Sequence, residues 1–470
     1  MGGTDMRVTV SNTICIENPS SDLIAWCKEY LTISNPEYAK KVRMHFWLGN
    51  TPKVLTLYEV RGNSLILPFG TLRSLGQLLR DSTVESAFKP SGSVRYGGSI
   101  PLYDYQETAV QAALDAKYGI LQSPAGSGKT QMGIALVERY GRKALWLTHT
   151  LDLLSQSKAR AEQYIDKSLI GTITEGKVNV GSGITFATIQ TMCKLDLAQY
   201  RDLWDVIIVD ECHRVAGTPT AMTQFYKVLN SLSARHKYGL SATVHRADGM
   251  ITATYALLGH VIYTVPDEAV AGKIMKVGIK PVGTGAKLSP ACLNSDGTLN
   301  YTNLISYLCE DFSRNLVIRD NIAAEWKHPS LILSDRLEHL ETLMHLLPKS
   351  MQEFSVMVSG KMTSKRGKAE REKAIEDMRN GRKMYLFATY SLCKEGLDIP
   401  RLERLFMTTP VKDYAVVVQS IGRIARICDG KKDAICYDFV DNIPYLYKSY
   451  KQRLRHYRKA GAYICEELTE

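Results

Sequence analysis

The chain has 470 residues, 45% of them hydrophobic and 23% charged, a balance that argues against disorder at a length beyond what one hydrophobic core supports. No run approaches the ~20 apolar residues of a membrane span, no apolar leader opens the chain, and the ten cysteines are scattered without a C-x-x-C pair, which argues against a disulfide framework or zinc module. The net charge of +11 and the sequence pI of about 9.0 suit a polyanionic partner in a reducing, intracellular setting, with no membrane involved.

Residues 1–95 read as a small α+β unit. Residues 7–10 alternate as a strand, and residues 22–31 suit a helix capped by Ser20 or Ser21. Residues 54–60 and 64–67, on either side of Arg61-Gly62-Asn63, read as a hairpin. Lys40, Lys41, Arg43, Lys53, Arg61 and Arg73 make this unit basic. Two readings stand: it contacts a phosphate backbone, or it presents a solvated surface while bracing its neighbour. Lys89-Pro90-Ser91-Gly92-Ser93 and Gly97-Gly98-Ser99 have the composition of a linker.

Residues 100–270 alternate apolar strands with helical stretches, the pattern of a doubly wound parallel sheet. After the apolar run 118–121 comes Ser123-Pro124-Ala125-Gly126-Ser127-Gly128-Lys129-Thr130, a near match to G-x-x-x-x-G-K-[ST] with Ser in place of the first Gly. A strand, a small-residue turn and a helix aim backbone N–H groups and the positive end of a helix dipole at one point. A triphosphate suits that point, with Lys129 on the outer phosphates and the Thr130 hydroxyl on Mg2+. Residues 204–209 are almost wholly apolar, as in a strand buried on both faces. Asp210-Glu211-Cys212-His213 follows directly. Asp210 is placed to hold the Mg2+ and Glu211 to orient and deprotonate an attacking water.

Residues 271–309 are less regular and read as a connector with turns at Gly283-Thr284-Gly285 and Asn294-Ser295-Asp296-Gly297. Residues 310–445 return to strand and helix alternation without a second phosphate loop, which predicts a single ATP site completed from this second domain. In Gln419-Ser420-Ile421-Gly422-Arg423-Ile424-Ala425-Arg426 the arginines are expected on one face of a helix, as fingers on the transferred phosphoryl. Such a finger is worth ~10³ to 10⁵ in rate. Residues 446–470 form a basic tail in which Lys448, Lys451, Arg453, Arg455, Arg458 and Lys459 interleave with Tyr450 and Tyr457. It either tracks a duplex backbone or packs its tyrosines on the second domain.

Taken in order over about 100–440, these motifs resemble those of superfamily 2 helicases of the DEAD/DEAH-like group. The resemblance implies two tandem RecA-like domains preceded by the small α+β unit. It implies ATP contacts from Gln106, residues 123–130, Gly396 and Asp398, with catalysis by Lys129, Asp210, Glu211, Arg423 and Arg426. Thr130 and Asp210 would hold the metal. His213, Ser241, Thr243 and Gln419 would couple the nucleotide to movement, and Thr148, Thr188, Gln190 and Thr389 would grip DNA phosphates without reading bases. Gly239-Leu240-Ser241-Ala242-Thr243 followed by Arg246, Asp248 and Gly249 is similar to the branch of XPB and the type III restriction helicases. The chain's size, small first domain and short tail resemble phage branch-migration helicases. That implies ATP and Mg2+ as cofactors, forked or branched DNA as partner, a monomer or weak oligomer, and a host cytoplasm if phage-encoded. An RNA helicase and the motor subunit of a restriction system are the alternatives.

Overall fold

The computed structural model describes residues 6–466 except 81, 125, 216–218, 243–249, 271, 273, 360, 361, 363, 364, 395, 396 and 398. The chain divides into two compact units, Met1–Pro124 with Gly128–Ala269, and Val270–Glu470 with Ala125–Ser127.

The first unit opens with a five-stranded sheet in the order Glu59–Arg61, Ser64–Pro68, Thr13–Glu17, Arg7–Val10, Thr83–Ser86. Period-2 alternation places Val8 and Val10 inside and Arg7 and Thr9 outside. The helix Ser21–Tyr30 starts where Ser20 Oγ accepts from Leu23 N at 3.2 Å. The hairpin expected over residues 54–67 is split. Val54–Thr56 pairs with Thr32–Ser34, and Glu59–Arg61 pairs separately with Ser64–Pro68. The break falls at Leu57, whose N–H donates to Leu31 O at 2.8 Å while its side chain turns into the core. That core is shared: Leu57, Phe69 and Leu75 form one cluster with Tyr118, Met250, Ala253 and Ala256 of the larger sheet's layer. At Gly70 a Cβ would lie 2.4 Å from Gly259 N, so glycine is required for the approach.

The segment with linker composition is fastened. Ser91 N donates to both carboxylate oxygens of Asp205 at 3.0 Å, Arg142 Nη1 donates to Ser91 O at 2.7 Å, and buried Tyr96 donates its hydroxyl to Arg142 O. Pro, Gly and Ser disfavour a helix or strand there, and Ser91 and Tyr96 tie the segment down instead.

The large sheet of this unit has eight strands in the order Lys177–Asn179, Ile170–Thr174, Ile184–Thr188, Ala144–Thr148, Val206–Asp210, His236–Ser241, Gly119–Gln122, Val261–Thr264. Neighbours run parallel except at Lys177–Asn179. The central strands Ala144–Thr148, Ile184–Thr188 and Val206–Asp210 are buried at every position, as their continuous apolar runs require.

The second unit holds seven parallel strands in the order Ser355–Val358, Tyr385–Thr389, Ser330–Ser334, Arg404–Met407, Ile435–Val440, Gly278–Gly283, Tyr463–Ile464. One face carries Leu331, Leu333, Leu386 and Leu405, the other Ile332, Phe387 and Phe406, so both faces of the sheet are covered. The strand Gly278–Gly283 lies in the segment read as a connector. Its apolar signal is interrupted by Lys280 and Pro281. Gly278 N donates toward Ile435–Val440, so Pro281, an odd number of residues on, turns its ring nitrogen to the other side. There Tyr463–Ile464 pairs with Gly278 and Ile279 alone, and proline costs no ladder bond. Among the described residues no helix is long and apolar enough to cross a membrane.

Candidate nucleotide site and nucleic-acid face

The phosphate loop leaves the strand Gly119–Gln122 through Ser123, which is fully buried and donates its N–H to Ser241 O at 2.9 Å. A small residue is needed there because the position has no access to solvent. Gly126 and Gly128 take φ of +84° and +82°, the left-handed backbone that favours glycine. A Cβ on Gly128 would sit 2.3 Å from Gln106 Nε2. Gln106 is itself buried near the start of the helix Asp104–Ala116, where its Oε1 accepts from Tyr103 N at 2.9 Å. Gln106, expected to contact ATP, therefore packs directly on the loop. Lys129 begins the helix Lys129–Tyr140, and Thr130 is partly exposed in its first turn. Lys129 Nζ reaches the carbonyls of Ser123 and Pro124 at 3.4 Å, the outer limit of a hydrogen bond, so little holds the ammonium back from a stronger acceptor. Pro124 and buried Ser127 complete the turn, and Ala125 lies outside the described residues.

Asp210 ends the buried strand Val206–Asp210. Its Oδ2 accepts from Ser157 Oγ at 3.1 Å and its Oδ1 from Glu211 N at 3.0 Å. Glu211 takes φ +48°, a strained backbone for a residue with a side chain. Its Oε2 is buried without a hydrogen-bond partner, 3.3 Å from His213 Nδ1. His213 Nδ1 also lies 3.0 Å from Ser241 Oγ, joining the acidic turn to the end of the strand His236–Ser241. Burial, and then the charge of Glu211, raises the pKa of Asp210. Burial works the same way on Glu211, but the charges of Lys129, His213 and Arg214 outweigh it and hold that carboxyl down.

These residues fit a triphosphate with a divalent cation. A carboxylate oxygen without a hydrogen bond, a second carboxylate disfavoured by burial, an ammonium at long hydrogen-bond distance and two left-handed glycines gather about one helix N-terminus. No group of three or more His, Cys, Asp or Glu side chains among the described residues is arranged to hold a metal alone.

The residues expected to grip DNA stand at strand ends. Thr148 and Thr188 are buried, and their hydroxyls donate to Thr150 O at 3.1 Å and Thr191 Oγ1 at 3.0 Å. They shape the loops rather than face solvent. Gln190 Nε2 donates to His149 O at 2.8 Å. In the second unit Thr389 ends its strand with its hydroxyl 2.8 Å from Ser391 Oγ. Beside it a cavity of about 430 Å³ is lined by Tyr301, Asp335, Ser391, Lys412 and Tyr445, among others. Lys412 Nζ lies 3.8 Å from the centre of the Tyr445 ring.

The two arginines do not share a helical face. The helix Tyr414–Ile424 includes partly buried Gln419 and has Arg423 in its last turn, but Arg426 lies beyond it in an antiparallel bridge with Ile274. Met275 N donates to Ala425 O at 2.7 Å, and this pairing replaces the next helical bond. Arg423 Nη1 donates to Leu397 O at 3.1 Å. Thr243, Arg246, Asp248, Gly249, Gly396 and Asp398 lie outside the described residues. In the tail helix Pro444–Lys459, Tyr450, Arg453 and Tyr457 are buried, while Lys448, Lys451, Arg455, Arg458 and Lys459 are exposed. Sequence reasoning missed Ser157, the hydroxyl that orients Asp210. Its one local signal is a small polar residue on the buried face of the helix Leu151–Ala161.

Residues 99–246 match the family described as type III restriction enzyme, res subunit, and residues 313–428 match the helicase conserved C-terminal domain. The probable helicase D10 of Escherichia phage T5 is 24% identical over 354 residues, 75% of this chain and 72% of that one. The DNA 3'-5' translocase XPB2 of Sulfurisphaera tokodaii is 28% identical over 377 residues, 73% of this chain and 82% of that one. Among solved structures, S. cerevisiae Dbp5 bound to RNA and ADP BeF3 aligns with a TM-score of 0.55 at 16% identity, covering 85% of this chain and 93% of that one. That likeness is one of fold.

Proposed function

The chain belongs to the superfamily 2 helicases, in the branch of XPB and the type III restriction enzymes, and we propose that it is an ATP-driven DNA translocase that remodels forks and four-way junctions. The observation that carries the chemistry is Glu211, whose buried carboxylate oxygen makes no hydrogen bond, lies 3.3 Å from His213 Nδ1 and is held in a strained turn next to the phosphate loop. Lys129 and the first N–H groups of its helix take the phosphates, and Thr130 and Asp210 hold Mg2+. Bound Mg2+ would neutralise charge on the outer phosphates. Ser157 orients Asp210 through its hydrogen bond, and Glu211 accepts the proton of the attacking water. Arg423 and Arg426 are the residues assigned to neutralise charge on the transferred phosphoryl, and they stand in two different local structures. His213, bonded to Ser241, ties the state of Glu211 to the strand end that the family uses for coupling.

The run 239–249, similar to the XPB branch, and the DNA helicases among the relatives support DNA over RNA. The core that the small sheet shares with the first motor sheet supports work on branches, because a block fastened to a motor moves with it and meets the fork as a rigid body. The test is ATP hydrolysis in the presence of single-stranded RNA, linear duplex, forked DNA and a four-way junction at several salt concentrations. Forked and four-way DNA are expected to stimulate most, with the effect falling as salt rises. Stimulation by RNA alone would sink the reading.

A further inference from the structure

Residues 35–53 form a lobe on the small sheet that no motor function requires. The chain leaves and re-enters through the paired strands Thr32–Ser34 and Val54–Thr56. Asn35 closes the neck, with its N–H on Lys53 O at 3.1 Å and its Nδ2 on Pro52 O at 2.8 Å. The same side chain caps the helix Pro36–Arg43, its Oδ1 accepting from Glu37 N at 3.0 Å. That helix buries none of its residues, so it does not brace the domain. What it does is carry a loop. Lys41 Nζ donates to Thr51 Oγ1 at 2.7 Å across the loop, and Phe46 N donates to Lys41 O at 2.9 Å.

At the crest, Trp47 is 88% exposed and Phe46 56%. The loop turns at Gly49 with φ +49°, and the Trp47 ring lies against it: a Cβ there would be 2.9 Å from the ring's Cζ3. The ring is thus supported along one edge and left open on its surface. The same lobe carries Lys40, Lys41, Arg43 and Lys53, against a single carboxylate, Glu37, which is paired with Lys41 at 3.3 Å. A large aromatic surface presented on an ordered loop marks an interaction site. The cations select a polyanion, and the flat apolar rings select a partner with exposed π faces. An unpaired stretch of nucleic acid offers both, whereas a closed duplex hides its bases and an apolar protein surface has no use for the cations.

We infer that this lobe is a second DNA-binding site, in which Trp47, assisted by Phe46, stacks on an unpaired base at a branch while Lys40, Lys41, Arg43 and Lys53 hold the flanking phosphates. The inference rests on the DNA reading above and gives the small domain its role there. It is tested by measuring the affinity of the full chain for a forked DNA with unpaired arms and for a closed duplex of equal length, at two salt concentrations. Trp47→Ala is expected to weaken fork binding about tenfold and duplex binding less than about twofold, with Trp47→Phe restoring most of the loss. Lys40→Ala with Arg43→Ala is expected to weaken both and flatten the salt dependence. Thermal melting of each variant reports whether the fold is kept. The inference is overturned if Trp47→Ala binds the fork as the natural chain does, or loses fork and duplex equally at an unchanged melting temperature. Each comparison is between variant and natural chain on one oligonucleotide. Stimulation of the natural chain's ATPase by RNA alone would instead sink the DNA reading.

Discussion

Each large parallel sheet carries two carboxylates toward the C-terminal ends of its strands, and the two pairs are treated oppositely. In the first unit, Asp210 receives a serine hydroxyl and a backbone N–H, and Glu211 Oε2 makes no hydrogen bond and has His213 Nδ1 at 3.3 Å. In the second, Asp438 receives Arg453 Nε and Nη2, both at 2.8 Å, and the Tyr457 hydroxyl at 2.9 Å. Asp441 receives Arg314 Nε at 2.7 Å and the Thr284 hydroxyl at 2.6 Å. Asp210, Asp438 and Asp441 are out of water and Glu211 is only partly exposed, and an ion so placed needs compensating partners. The second unit supplies them from within, so its charges belong to the architecture. The first unit leaves its charges partly unmet, which is the condition for taking up a ligand.

The contrast can be broken at either end. The largest effect is expected from Glu211→Gln, which should lower kcat for ATP hydrolysis by ~10² to 10⁴. Its melting temperature should move little, because what it weakens is a 3.3 Å ion pair with His213 in a partly exposed turn. A variant that turns over normally, or that melts many degrees lower, would erase the distinction. Next comes Arg453→Met, which strands Asp438 in the core and should cost about 3–5 kcal/mol in denaturant titration. Adding Asp438→Asn to the same chain should recover much of that loss. An unchanged midpoint in the single variant would show that the second pair is no more structural than the first.

The smallest effect is one of pH. His339 is buried beside Arg314, with Nδ1 2.9 Å from Ser334 Oγ and Nε2 2.9 Å from Asn315 Oδ1. Burial, then the Arg314 charge, pulls its pKa down to about 3. Between that value and the ~6.5 of an unfolded histidine, the unfolded chain binds more protons than the folded one. The second unit should therefore be most stable above about pH 6.5 and lose up to ~1.4 kcal/mol per unit as pH falls toward 3. Urea unfolding at pH 7, 6 and 5 measures the slope, and His339→Gln should flatten it. A slope unchanged in that variant would remove His339 from the second unit's buried network.

The proposed nucleotide site could be read from the sequence because its residues are contiguous. Residues 123–130 encode a turn in their own glycines and a helix start in their own Lys and Thr, and residues 206–211 encode a buried strand that delivers two carboxylates at its end. Strand and helix alternation likewise announced two doubly wound sheets. The rest depended on partners far along the chain. Whether residues 89–99 hang free was decided by Asp205 and Arg142, and whether Leu57 continues a strand was decided by Leu31. The helix carrying Arg423 stops before Arg426 because Ile274 and Met275 pair with the next residues. Arg453 has the sequence context of a nucleic-acid contact, yet Asp438 takes it into the core. A sequence fixes the dihedral preferences and apolar period of each segment. Which buried polar group meets which is settled by desolvation, and that cost exists only once the tertiary fold has excluded water.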